Sequence, residues 1–573
     1  MRRWSRLALA AVAVTAALTP LSATAAEVPD PLAPGPHPVA ETGYTLGDDV
    51  FHPTSFPGPV ELTGQVYYPA DSEHGPYPLV VLLHGRHATC YQPGTDQADS
   101  SWPCPEGKKP IDSHLGYAAL ARTLASQGYG VISVSANGIN AADSLDSSYG
   151  QPARGELVLA HLDLWRKWRD EPGAPVPGSV ARSFDLDRIG LMGHSRGGEG
   201  VVNAVEQNAQ RPQPYRIGAL LPLAATDFER RIPTGLPMAS LLPACDGDVS
   251  DLQGVHYYDD GRYRIAGDRA TRHVVTVPGA NHNYFNSMWS ESAGLPGSMD
   301  DWRGEPGSPC APGQPSRLTE ADQLATGNAY MGAFFRYYLG GEDAFAPLWR
   351  GAGRLPSGIG AGVQTSYHPP SATARRKDVY RFANPRGGVN DLGGAVTPAG
   401  GLTTQPCGGE SMETNDSCLR FAQADPQREP HRGWGFLGVQ GQRVDWSSTS
   451  DSLTNEVPES AGDLRGYAAV QFRAAVDYTS ERNPRGQAQD LHLVLTDADG
   501  RSAAARAGEF GTGLAYPPTT SDQDVIPHLL LNPVRVPLSA FTGIDLAKVR
   551  SVKLAFDVRP TGSLTMADLS FTD

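Results

Sequence analysis

Ser195 stands at the centre of Gly193-His194-Ser195-Arg196-Gly197, a Gly-x-Ser-x-Gly pentapeptide. A serine hydroxyl is a weak nucleophile until a base takes its proton, and an imidazole suits that task near neutral pH. A carboxylate must then hold the imidazole in one orientation and stabilise its cation. Both residue types recur downstream, each just beyond an apolar run. Cys245-Asp246-Gly247-Asp248-Val249 follows Met238–Ala244, and Ala280-Asn281-His282 follows His273–Val277. In a chain with 64 glycines the pentapeptide by itself carries little weight, so the elements around it must support the reading.

Those elements are legible. Pro78 to Leu83 is a continuous apolar run, the pattern of a strand buried on both faces of a sheet, and Gly130–Ser135 is another. Arg188–His194 runs as a third strand straight into the pentapeptide, and a helix over Gly198–Asn208 follows. Gly193 and Gly197 leave room for the sharp bend between them, which projects the Ser195 hydroxyl outward. Two strand-like stretches at 43–52 and 58–69 precede these, and further strands fit Ile217–Leu223, Met238–Ala244 and His273–Val277. Helices fit Tyr117–Ser126, Gly155–Arg169 and residues 322–339. Strands alternating with helices imply an α/β domain with a mostly parallel sheet. Catalytic groups in such sheets sit just past strand C-termini, where Ser195, the acid loop and His282 all fall.

At 573 residues the chain exceeds one hydrophobic core. Residues 351–374 read as a linker rich in Gly, Ser, Pro and Arg. Beyond it, 375–573 carries short alternating strands such as Tyr467–Val476, Leu491–Leu495 and Val549–Val558, with a hairpin turn at Asp499-Gly500, and reads as an all-β sandwich. Residues 1–26 have the form of a secretory signal: basic Arg2, Arg3 and Arg6, an apolar Leu7–Leu18, and a small-residue site ending near Ala26. No later run is long enough to span a bilayer, so an exported protein is expected.

The formal charge is −15, and loss of the three leader arginines makes the mature chain more acidic still, which disfavours nucleic acid and anionic membranes as partners. Six cysteines in an exported chain argue for disulfides. Proximity favours Cys90–Cys104 and Cys407–Cys418, leaving Cys245 with Cys310, although six cysteines allow other pairings. No Cys/His spacing resembles a zinc site.

With nucleophile, acid and histidine in this order at successive strand ends, residues 40–350 resemble an α/β-hydrolase of the serine esterase or lipase type. The resemblance implies a Ser195, Asp248, His282 triad, with Asp246 and Asp227 as alternative acids and Asp251 flanking. It implies an oxyanion hole from the backbone N–H of Arg196 and, after Leu82-Leu83-His84-Gly85, that of Arg86. His84 and His87 read as packing residues rather than catalysts. Glu199, one turn beyond Ser195, reads either as an arginine partner or as an exposed helix residue. The 86–114 insertion is expected to lie over the site, stiffened by Cys90–Cys104. Val534–Phe541, Val552–Phe556 and Met566–Phe571 resemble the closing strands of galactose-binding-like jelly rolls. Such modules bind carbohydrate and a structural calcium, with Trp434, Trp446, Tyr478 and Tyr516 as stacking candidates; core burial and a spacer role is the plainer reading.

The reading that follows is a secreted, cofactor-independent hydrolase of carboxylic esters, polymeric and glycan-linked esters included. A peptidase or acyltransferase could use the same three residues. A binding protein on an inactive hydrolase scaffold is the alternative of a different class.

Overall fold

The computed structural model describes residues 26–573 apart from 55, 72–73, 297–308, 357–358, 371–372, 374, 383–387, 409–417, 419–438 and 518–528. Leader residues 1–25 and Trp434 lie outside the described residues.

Nine strands form one mixed sheet. In chain order they are β1 (Val39–Thr45), β2 (Thr63–Pro69), β3 (Tyr77–Leu83), β4 (Gly130–Val134), β5 (Phe184–His194), β6 (Ile217–Leu223), β7 (Met238–Pro243), β8 (Arg272–Val277) and β9 (Gln364–His368). Their spatial order is β9-β8-β7-β6-β5-β3-β4-β2-β1. The six strands from β8 to β4 run parallel. Antiparallel strands close both edges: β9 on one side, β2 and β1 on the other.

The centre of this sheet is buried on both sides, which is why β3 reads Tyr-Pro-Leu-Val-Val-Leu-Leu with every residue buried. Successive strand side chains point to opposite faces. Leu79, Val81 and Leu83 accordingly pack with Leu157, Leu162, Val201 and Val202 from helices α2 (Gln151–Lys167) and α3 (Arg196–Ala209). Val80 and Leu82 pack on the other face with Leu120, Leu124, Phe334 and Phe335 from α1 (Ala118–Ser126) and α4 (Glu320–Tyr338). Two cores thus clamp the strand that leads to His84 and Gly85, and β5 lies beside it.

One boundary differs from the sequence reading. Residues 351–374 are not simply a linker, because Gln364–His368 forms β9, in register with β8 from Arg272↔His368 to Thr276↔Gln364. The edge of a sheet exposes unpaired backbone groups, and this Gln-Thr-Ser-Tyr-His segment has the β-branched and aromatic content to satisfy them.

Downstream, two antiparallel sheets face each other. One is built on Gly562–Thr572, flanked by Gly441–Trp446 and Ala469–Val476 and extended by Thr403–Cys407 and Asn532–Pro537; Arg376–Tyr380 pairs with the same central strand. The other orders Val396–Ala399, Ser452–Glu456, Val549–Ala555, His492–Asp497 and Ser502–Arg506. Phe472, Val534 and Leu564 of the first meet Leu493, Leu495 and Leu554 of the second in one core. The hairpin at Asp499-Gly500 is capped by the Asp497 carboxylate, which accepts from the N–H groups of Asp499 (2.9 Å) and Arg501 (3.0 Å).

Buried charge joins the sandwich to the first sheet's loops. Asp568 accepts from Arg473 Nε at 2.8 Å, from Tyr263 Oη at 3.0 Å and from Arg262 Nη1, while Arg473 Nη2 reaches Asp259 at 2.5 Å. The four charged side chains are each no more than 5% exposed. Removing one member of such a set strands the others in a medium that solvates them poorly. Asp568→Ala, which leaves Arg262 and Arg473 without their shared acceptor, is expected to cost about 3–5 kcal/mol in urea unfolding. A loss below about 1 kcal/mol would show the network to be energetically idle.

Candidate functional site

The bend after β5 is built by backbone contact. Ser195 has φ 59° and ψ −129°, a conformation that L-residues with a Cβ rarely adopt. It is locked there: its N–H donates to Leu223 O at 2.8 Å, and its carbonyl accepts from Gly198 N at 2.8 Å as α3 begins. A Cβ on Gly193 would lie 2.0 Å from Gly197 O, so the two flanking glycines are required by the closeness of the chain to itself. Gly85 is required for a second reason: a Cβ there would lie 2.4 Å from Ser195 Cβ and 3.1 Å from its Oγ. The loop after β3 therefore rests directly on the serine.

His282 is buried in the turn after β8. Its Nδ1 is 2.9 Å from Asp246 Oδ2. The carboxylate bonded to this nitrogen is that of Asp246, not of Asp248. The Asp246 carboxylate is buried and fully engaged: Oδ1 accepts from the N–H groups of Asp248 (3.0 Å) and Val249 (2.7 Å), leaving Oδ2 for the imidazole. Asp248 stands on the opposite side of the ring, 4.0 Å from Nε2, with its side chain 51% exposed. The two-residue difference follows from the turn geometry, since the backbone of 248–249 wraps back onto the Asp246 side chain. Asp227, the other alternative, is committed elsewhere: its carboxylate lies 3.3 Å from His256 Nδ1 and 3.5 Å from Arg230 Nε, and burial pushes it up to about 8. Asp251 bonds Gln253 and is pushed up to about 6 by burial.

The acid and histidine loops are tied to each other. Cys245 N–H donates to Ala280 O at 2.7 Å, and the Cys245–Cys310 disulfide anchors the residue immediately before the acid. Leu318 N–H donates to Gly279 O at 2.9 Å, and Gln323, on α4, clamps Asn281 through bonds to its N–H (2.9 Å) and carbonyl (2.7 Å). The structure also pairs Cys90 with Cys104 and Cys407 with Cys418. Cys90–Cys104 lies in a small three-stranded element of the 86–114 insertion, formed by Cys90–Tyr91, Ala98–Asp99 and Lys109–Pro110.

His194, which sequence reasoning passed over, is a buried prop. Its Nε2 is 3.0 Å from the His282 carbonyl and its Nδ1 is 3.1 Å from Tyr117 Oη, an arrangement satisfied when Nε2 carries the proton. Burial, reinforced by the adjacent His282, holds its pKa well below the ordinary histidine value. His194 also packs on Trp289, with ring centroids 4.7 Å apart. The sequence signal was present, since His194 is the x before the serine, yet its partners lie about 80 residues away on either side.

Two further histidines are structural. His84 Nε2 accepts from Ala136 N–H at 2.8 Å, so Nδ1 carries the proton, and burial lowers its pKa to about 3. His87 stacks on Trp289 at 5.2 Å and is lowered to about 4 by burial. Glu199 is neither exposed nor an arginine's hydrogen-bond partner. It is completely buried, accepting from Thr226 Oγ1 and Glu229 N–H at 2.8 Å each, and burial followed by the charge of Asp227 pushes it up to about 7.

Of the expected oxyanion donors, Arg196 opens α3, where backbone N–H groups have no acceptor within the helix. Arg86 follows Gly85 in the loop that touches Ser195. In the sandwich, Trp446 is buried and stacks on Phe556 at 4.7 Å, and Tyr516 packs against the same core, so neither is a free platform. Among the described residues no group of three or more His, Cys, Asp or Glu side chains is placed to hold a metal ion.

An imidazole fixed through Nδ1 can offer Nε2 as a base, and a serine hydroxyl on a rigid bend is the kind of group such a base can activate. No family model matches the chain. It is 29% identical over 253 residues, 42% of its length, to the bis(hydroxyethyl) terephthalate hydrolase of Streptomyces coelicolor. The alignment spans 63% of that protein. The chain is thus a distant homologue of an ester hydrolase.

Two predictions follow from the geometry. Asp246→Asn should slow covalent labelling of the serine by a fluorophosphonate by about a thousandfold or more, and Asp248→Asn by less than about tenfold; the reverse order would restore Asp248 as the orienting acid. Glu199 keeps a proton when folded that an ordinary carboxyl, near 4.5, releases when unfolded. Its effect on stability must therefore fall as pH rises from about 4.5 towards about 7. Glu199→Gln is expected to flatten that decline in urea titrations, and an unchanged slope would contradict the buried, protonated carboxyl.

Proposed function

We propose that this chain is a secreted serine hydrolase of the α/β-hydrolase kind, cleaving carboxylic esters with Ser195 as nucleophile, His282 as base and Asp246 as its orienting acid. The observation that carries the reading is the buried His282–Asp246 hydrogen bond, at 2.9 Å, beside a serine held at positive φ. The strand order, with six parallel strands ending near the site, supports the fold assignment. The leader sequence and three disulfides support secretion, and among the described residues no helix is long and apolar enough to cross a membrane.

In this reading Ser195 Oγ attacks the ester carbonyl as its proton passes to His282 Nε2. Asp246, hydrogen-bonded to Nδ1, stabilises the imidazolium without taking its proton. The negative charge on the former carbonyl oxygen is met by the N–H groups of Arg86 and Arg196, which need no reorganisation because loop and helix already fix them. Collapse of the tetrahedral species expels the alcohol, protonated by His282, and leaves an acyl group on Ser195. Water, deprotonated by His282, then releases the acid and restores the serine. The ester named by the relative favours ester over amide as substrate. The sandwich acts as a buttress, for which the buried Asp568 network is the support.

Wild-type protein should hydrolyse p-nitrophenyl butyrate and bis(hydroxyethyl) terephthalate, and leave anilide peptides intact. Ser195→Ala should lower kcat by about ten-thousandfold or more. No turnover of any ester by the wild type, or full activity in Ser195→Ala, would contradict the proposal; anilide cleavage at a comparable rate would make it a peptidase.

A further inference from the structure

Two arginines contribute the proposed oxyanion donors through their backbones, and their side chains converge on one buried carboxylate. Asp143 is completely buried. Its Oδ2 accepts from Arg196 Nη1 at 2.6 Å and Arg154 Nη2 at 3.0 Å, while its Oδ1 lies 3.5 Å from Arg86 Nε. Three residues earlier, Asn140 is equally hidden and reaches the same loop from behind. Its Nδ2 donates to Gly85 O at 2.9 Å, and its Oδ1 accepts from Arg154 Nη2 at 2.7 Å.

Gly85 O also accepts from His84 Nδ1 at 2.9 Å, and these bonds matter because of peptide planarity. The carbonyl of Gly85 and the N–H of Arg86 belong to one rigid trans unit and point in opposite directions. Whatever holds that carbonyl also aims that N–H. Arg154 locks the arrangement: it is fully buried on α2, its Nη1 bonds Tyr149 O at 2.6 Å, and its Cβ packs where a Cβ on Gly200 of α3 would lie 2.6 Å away. The cluster places three guanidinium groups around one carboxylate, an excess of positive charge attached to the loop and helix that carry the two proposed donors.

We propose that Asn140 and Asp143 are positioning residues for the oxyanion site, Asn140 aiming the Arg86 N–H through the shared peptide and Asp143 tethering Arg86 and Arg196 to one anchor. This rests on the ester-hydrolase reading. Neither residue touches substrate; each acts through the backbone donors, whose alignment is needed most in the transition state. Weakening the alignment should therefore lower kcat and leave ground-state binding nearly unchanged.

The experiment compares wild type and Asn140→Ala in kcat and KM on p-nitrophenyl butyrate, in the inhibition constant of phenylboronic acid, and in Tm. The boronate places a tetrahedral oxyanion on the serine, so it reports donor alignment directly. Expected are a kcat lower by about ten- to a hundredfold, KM within about threefold, and a loss of boronate affinity matching the loss in kcat, with a cooperative melting transition retained. Asp143→Asn should do the same. If Asn140→Ala does not melt cooperatively, Asn140→Ser, a smaller change, carries the same comparison. An active wild type with kcat in the folded variant within about twofold, or a kcat loss without the boronate loss, would overturn the positioning role alone. A wild type that turns over no ester would overturn the hydrolase reading and this inference with it.

Discussion

A serine at φ 59° stores unfavourable backbone energy, and the packing around it exists in a form that keeps the chain from relaxing. Four constraints act at once. β6 takes the Ser195 N–H, α3 takes its carbonyl, Gly197 sits where no side chain on residue 193 would fit, and Gly85 closes the remaining side. Each constraint is delivered by an element whose own position is set by the two cores flanking β3. The sheet is thus the reason the bend can persist, and the bend is the reason the hydroxyl stands apart from its own helix.

The other two functional loops depend on the same frame. β7 and β8 lie side by side, so the loops at their ends are neighbours, and the Cys245–Ala280 backbone bond with the Cys245–Cys310 disulfide keeps the Asp246 carboxylate against His282. His194 joins the arrangement from the strand of the nucleophile itself, holding the His282 carbonyl. Ser195, Asp246 and His282 follow β5, β7 and β8 of one sheet, and hydrogen bonds between their loops brace them against one another. At the far edge β9 completes the sheet, and the buried Asp568 network bonds the sandwich to the loop carrying Arg262 and Tyr263.

Much of this was legible in the sequence because it is written in short-range patterns. Apolar runs marked β3, β4 and β5, and the helix after Ser195 followed from its periodicity. Cysteine proximity pointed to the pairs the structure contains. What escaped was decided by contacts between distant segments. Asp246 and Asp248 differ by two positions, and only the way the 248–249 backbone folds onto Asp246 separates them. β9 lies in a stretch whose Gly and Pro content signalled a linker, while its role comes from an open sheet edge. Glu199, Asn140 and Asp143 look like surface residues of helices and turns; their burial depends on α2, the loop after β3 and residues 226–229 meeting over them.

The central claim is that Ser195 forms a covalent bond to the acyl group of an ester. The most direct test is to quench the enzyme with acid during turnover of a slowly deacylating ester, digest with trypsin, and weigh the peptide running from Ile189 to Arg196. This peptide is expected to gain the mass of the acyl group, with the adduct fragmenting to Ser195, and the Ser195→Ala protein to gain nothing. An adduct on another residue, or turnover with an unmodified peptide at every quench time, would contradict it.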